Sequence, residues 1–125
     1  MTNFTRASVL LAHGSSDPHW LKPFGQLLQQ IRSGLQNSDT RVELAYMELA
    51  EPELGQQIRR LVQEGYRHID VLPLFFAAGR HLRKDVPAML DALQAELLAA
   101  GQMVSIELHS PVGLEPEVAA AIRQV

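Results

Sequence analysis

The chain has 125 residues, 46% hydrophobic and 20% charged, with a formal net charge of −3, a make-up that fits one globular domain able to bury a core without covalent staples. That charge gives no reason to expect a nucleic-acid partner, which usually demands a basic face. The absence of cysteine excludes disulfides, thiolate metal sites and thiol nucleophiles, so any metal must take nitrogen or oxygen donors.

"ASVLLAHG" (7–14) is almost continuously apolar and predicts a strand covered on both faces. Its apolar run after Arg6 is cut by His13 too soon for a secretory leader. No stretch has the length to cross a bilayer, so the default expectation is a cytoplasmic protein without a membrane partner. Asp17 and Pro18 then form an N-cap and first-turn pair. Trp20, Phe24, Leu27, Leu28, Ile31 and Leu35 recur at helical spacing and predict one buried stripe.

"RVELAYME" (41–48) reads as a second strand, and Pro52 as the start of a second helix that Gly65 ends. "HIDVLPLFF" (68–76) is a third strand with an awkward Pro73, which predicts a bulge or a weakening of the pairing there. "AAGRHLRKDVP" reads as a loop entering a third helix whose buried stripe is Met89, Leu90, Leu93 and Leu97. "MVSIELHS" (103–110) is a fourth strand and "EPEVAAAIRQV" a short closing helix. Four βα units in succession predict a single α/β domain over residues 1–125, a three-layer sandwich of four parallel strands with helices on both faces.

Ligands of such sheets bind beyond the carboxyl ends of the strands. His13 follows the first strand, Glu48 the second, and His81 lies in the loop after the third. If those strands are neighbours, two imidazoles and a carboxylate converge. That set suits a borderline divalent ion, and the same groups accept protons near neutral pH. Each residue alone has a plainer reading: His13 as a helix cap, Glu48 as a solvated loop acid, His81 as a helix-start residue facing water. His109, ending the fourth strand, is a weaker fourth candidate, and His19 and His68 read as surface or packing residues.

Arg80, Arg83 and Lys84 cluster where the third helix begins. Cations there face the positive end of the helix dipole, at a cost of about 0.3–1 kcal/mol each. An anionic ligand would turn that cost into binding. A solvated loop tolerating the cost is the alternative.

"LLAHGS", "AYMELAEP", "PLFFAAGRHLRKDVP" and "SPVGLEP", in this order and over nearly the whole chain, resemble the motifs of the small sirohydrochlorin chelatases (CbiX-type, class II chelatases). The resemblance implies insertion of cobalt or ferrous iron into sirohydrochlorin, on the way to cobalamin or siroheme. It implies metal binding and proton removal at His13 and His81, with Glu48 at the acidic position. The metal is then a substrate, and no organic cofactor is needed. The peripheral carboxylates of the tetrapyrrole would meet Arg80, Arg83 and Lys84, with Ser15 and Ser16 on the same rim. The single-lobe form of the family works as a homodimer. Arg80 departs from the family pattern, which has a small or different residue before the histidine.

The same ligand set would serve a non-catalytic metal or tetrapyrrole carrier. Phosphoryl transfer through His13 fits poorly, because Ala12 stands where a histidine phosphatase carries an arginine, and no glycine-rich phosphate loop is present. A receiver-type signalling domain fits no better, since no acidic cluster ends the first strand.

Overall fold

Strand β1 (Arg6–Ala12) runs down the inside of a four-stranded, all-parallel sheet, with β2 (Arg41–Tyr46) on one side and β3 (His68–Pro73) on the other. Strand β4 (Ser105–Leu108) pairs with the far side of β3, giving the order β2-β1-β3-β4. The molecule is seen as a computed structural model that describes residues 6–35 and 40–125, with His81 described by its backbone only. The helices are α1 (Pro18–Gly34), α2 (Leu54–Gln63), α3 (Val86–Ala99) and α4 (Pro116–Arg123).

Alternation along β1 separates two cores. Ala7, Val9 and Leu11 face the side covered by α2 and α3, where they pack with Leu54, Ile58, Leu61, Leu90 and Leu93. Leu10 and Ala12 face the other side with Val42, Leu44 and Tyr46, under the apolar residues of α1. The near-continuous apolar run of β1 is therefore required by burial on both faces.

Helix α1 begins as its sequence predicts: Asp17 adopts extended geometry and its carboxylate accepts a hydrogen bond from the His19 amide at 2.9 Å. Its stripe is shallower than its spacing implies. No α1 residue is fully buried and Trp20 is 53% exposed, because this single helix is the main cover of its sheet face. Helix α2 starts two residues later than Pro52, after a cis Glu51–Pro52 bond and a bridge between Tyr46 and Glu53. A capping box between Glu53 and Gln56 fixes that start. Gly65, at φ +108°, ends the helix as expected.

The strands end earlier than hydropathy implies. β3 stops at Pro73, and its pairing with β4 stops two positions earlier, at Val71 opposite Leu108. The Leu74 amide donates to Leu11 of β1 at 2.8 Å, and His109 donates to the Val71 carbonyl at 2.9 Å. Residue 73 thus turns its nitrogen toward β4, where a proline has no N–H to extend the ladder. The segment read as a loop before α3 is a π-helical turn, His81–Asp85, continuous with α3 and anchored by the buried Leu82.

Candidate functional site

Because β1 lies between β2 and β3, the loops that leave these three strands share the carboxyl edge of the sheet. His13 is the first residue beyond β1, exposed at that edge. Its ring rests on the ring of Phe75, with centroids 4.3 Å apart and planes inclined by 32°. Phe75 is buried, so the imidazole has a fixed floor on one side and solvent on the other.

The main chain locks His13 to the β2–α2 loop. The Met47 amide donates to the Ala12 carbonyl at 2.9 Å, and the Glu48 amide donates to the His13 carbonyl at 3.2 Å. Gly14 sits at φ +92°, and a Cβ there would run into the Glu48 carbonyl oxygen. Only glycine meets both requirements, the left-handed backbone and the close approach. The two loops are pressed together at the point where His13 and Glu48 emerge.

Glu48 is exposed and lines a cavity of about 470 Å³ that opens between α2 and α3, with Met47, Leu54, Asp85, Val86 and Met89 among its walls. On the opposite side of β1, the π-helical turn begins with the backbone of His81, whose side chain lies outside the described structure. The Arg83 amide donates to the Gly79 carbonyl at 3.0 Å, which closes the turn. Turns of this kind occur mostly as single-turn inserts in α-helices and are frequent at functional sites.

Arg80, Arg83 and Lys84 are exposed, and among the described residues no acid pairs with them. Three cations against one acid, Asp85, leave this helix start a net positive rim. Ser15 accepts a hydrogen bond from the Asp17 amide through its Oγ at 3.0 Å, which shapes the turn into α1, and its hydroxyl proton remains free to donate. Ser16 is exposed beside it.

His109 is occupied elsewhere. Its Nε2 lies 2.9 Å from Asp70 Oδ1, and Glu107 lies 3.9 Å away. Asp70, on the α1 side of the sheet, is only 8% exposed. The donor atoms of Asp70, Glu107 and His109 lie within 4.8 Å of one another. Arg6 already engages both Asp70 oxygens, at 3.0 and 3.2 Å, so these groups form a polar network that joins β1, β3 and the end of β4.

The arrangement brings His13 and Glu48 together and adds three features beyond the sequence reading: Phe75 as the floor of the imidazole, Gly14 as the contact between loops, and Leu49, a non-glycine residue at φ +63° directly after Glu48. Chemically, one imidazole and one carboxylate at an open edge can hold a divalent ion or take protons, and the cationic rim beside them attracts anions.

A profile of the CbiX family matches residues 7–125. The sirohydrochlorin cobaltochelatase of Methanococcus aeolicus is 34% identical over 90 residues, which cover 72% of this chain and 62% of that protein, so the chain spans less than two thirds of that relative. The sirohydrochlorin cobaltochelatase of Saccharolobus islandicus is 30% identical over 112 residues, covering 88% of this chain and 84% of the relative. Among solved structures, one from Marinobacter aquaeolei, assigned to a CbiX protein of cobalamin (vitamin B12) biosynthesis, superposes with a TM-score of 0.80 at 44% identity, over 95% of this chain and 92% of that one.

Proposed function

This chain belongs to the CbiX family, and from that premise we propose that it inserts a divalent metal, cobalt or ferrous iron, into sirohydrochlorin. The observation that carries the reading is the junction of His13 and Glu48: an imidazole and a carboxylate on separate loops, joined by the Glu48 amide to His13 carbonyl bond at 3.2 Å. Relatives matched along most of this chain bear the name sirohydrochlorin cobaltochelatase, which favours cobalt as the ion.

The chemistry follows from the residues. A tetrapyrrole loses two pyrrole N–H protons as a divalent ion enters. An imidazole with an ordinary pKa near 6.5 accepts a proton at physiological pH, and its neutral form also donates a lone pair to the ion. His13 and His81 are the residues for metal binding and proton removal. Glu48 adds charge that favours the incoming cation and relays a released proton toward solvent. Arg80, Arg83 and Lys84, with Ser15 and Ser16, hold the carboxylates at the edge of the macrocycle. The substrates are the ion and the macrocycle, and this chemistry calls for no organic cofactor.

Residues 1–125 act as one lobe, and two copies face each other across the macrocycle as a homodimer. The product feeds cobalamin synthesis with cobalt and siroheme synthesis with iron. Among the described residues no helix is long and apolar enough to cross a membrane, and we place the reaction in the cytoplasm.

The test is insertion followed by absorbance, with purified protein, sirohydrochlorin and Co²⁺, Fe²⁺ or Ni²⁺. We expect rates well above the spontaneous reaction. His13→Ala should lose about 100-fold or more, as expected when a proton acceptor and ligand is removed, with an unchanged circular dichroism spectrum. Tight binding of ion and macrocycle without turnover would instead mark a carrier.

A further inference from the structure

Two large apolar side chains stand in water on either side of His13, and each is held there at a cost. Leu49 follows Glu48 and is 66% exposed; Phe76 follows Phe75, the floor of His13, and is 70% exposed. Leu49 occupies the left-handed region at φ +63°, where the Cβ of an ordinary residue crowds its own backbone. A residue with no task there would be glycine or asparagine, or a leucine turned inward.

Phe76 is pinned from behind. A Cβ on Gly113 would meet both the backbone and the ring of Phe76, and the Gly113 amide donates to the Phe75 carbonyl at 2.9 Å. The ring borders the Gly113 turn on one side and is otherwise open to solvent. The two side chains leave the loops after β2 and β3, the neighbours of β1. With strands spaced 4.7–4.9 Å apart, their points of departure are about 10 Å apart, with His13 between them.

We propose that Leu49 and Phe76 are the supports on which the face of the macrocycle is seated over His13, an inference that rests on the chelatase reading and deepens it. The ligand has two kinds of surface. Its carboxylates lie at the periphery and suit the cations of the π-helical turn, whereas the face of the ring is apolar and needs apolar contacts to fix its height and tilt. Charges alone would hold the rim and leave the pyrrole nitrogens unaligned with the imidazole. Proton transfer is sensitive to misplacement on the scale of 1 Å. The left-handed Leu49 ties the seat to Glu48, so that ring and ion are presented to each other by adjacent residues.

The experiment measures binding of metal-free sirohydrochlorin by fluorescence quenching, together with steady-state insertion of cobalt and the solution mass of each variant. Leu49→Gly removes the side chain and relieves the backbone at once. It should melt at or above the wild-type temperature while its Kd for sirohydrochlorin rises about 5- to 20-fold, the effect of losing one apolar contact of this size. Phe76→Ala should shift Kd in the same direction, Phe76→Leu should restore most of the loss, and the KM for cobalt should stay unchanged in all three. An unchanged Kd in both Leu49→Gly and Phe76→Ala overturns the proposal. So does a loss of dimer mass with unchanged binding, which would assign these side chains to contact between copies. Wild-type protein that binds sirohydrochlorin without inserting any ion, while the variants bind it more weakly, overturns the chelatase reading and supports the seat.

Discussion

Gly14 decides whether His13 and Glu48 share a site. Its φ of +92° and the Glu48 carbonyl against its α-carbon leave no room for a methyl group. Gly14→Ala should cost about 2–4 kcal/mol, the range for strain at a special backbone position combined with a steric clash, and should reduce insertion beyond the loss of folded protein. Thermal melts and activity per folded molecule measured on one sample separate the two effects. At this scale the sequence was legible where a residue type was out of place. An imidazole at the tip of an apolar strand and cations at a helix start, the latter at a cost to the helix, stand out from their surroundings, and they are the residues proposed to meet ligands. Phe75 carried no such mark, since an aromatic residue ending an apolar run reads as core. Leu49 carried none either, because leucine does not announce a left-handed backbone.

Among the elements, α2 and its surroundings carry the clearest energetic consequences. Ile58 is fully buried between α2 and the sheet, and Ile58→Ala should destabilise the fold by about 2–5 kcal/mol, read from denaturant unfolding. At the amino end of the sheet, Glu43 is surrounded by three guanidinium groups: Arg41 at 2.7 Å, Arg32 of α1 at 2.9 Å and Arg60 of α2 at 3.6 Å. Arg41 also reaches Glu64 at 2.7 Å, and that hydrogen bond holds the Glu64 carboxyl below its ordinary value of 4.5. A carboxyl lowered by folding stabilises the native state above its unfolded pKa, and the contribution is lost as pH falls through the folded value. Glu64→Gln should therefore melt slightly below wild type at pH 7, and the gap should close as pH falls through the lowered folded value, a small effect because the pair is exposed. The order and type of elements were legible from periodicity, but their ends were not. Capping boxes, the bridge at Glu53 and the missing N–H of Pro73 set those ends through partners distant in sequence. The π-helical turn was read as a loop because its charges and the preceding Gly79 resemble one, while the anchor that makes it helical, Leu82, acts through tertiary burial.

For the whole molecule, the alternation of strand and helix determined a parallel sheet, and the convergence of loops depended on strand order. β1 lies inside, so three consecutive strands deliver residues to one edge; with β1 at the rim, the same residues would scatter. The sheet face under α1 has only a shallow cover, since α1 has no fully buried residue. A lone lobe with exposed Trp20, Leu114 and Ile122 has apolar area to hide, and sedimentation equilibrium should give twice the 13.9 kDa chain mass at micromolar concentration. A monomer at that concentration would remove the second lobe from the proposed reaction. The stitch between the β1 and β2 loops carries a consequence for how such proteins diversify. The bond from the Glu48 amide to the His13 carbonyl clips together the two loops that carry the proposed acid and imidazole, so lengthening either connection by a single residue would unfasten both proposed donors together. On this proposal, exchange of one ion for another is open to substitution within the clip and closed to drift in its length.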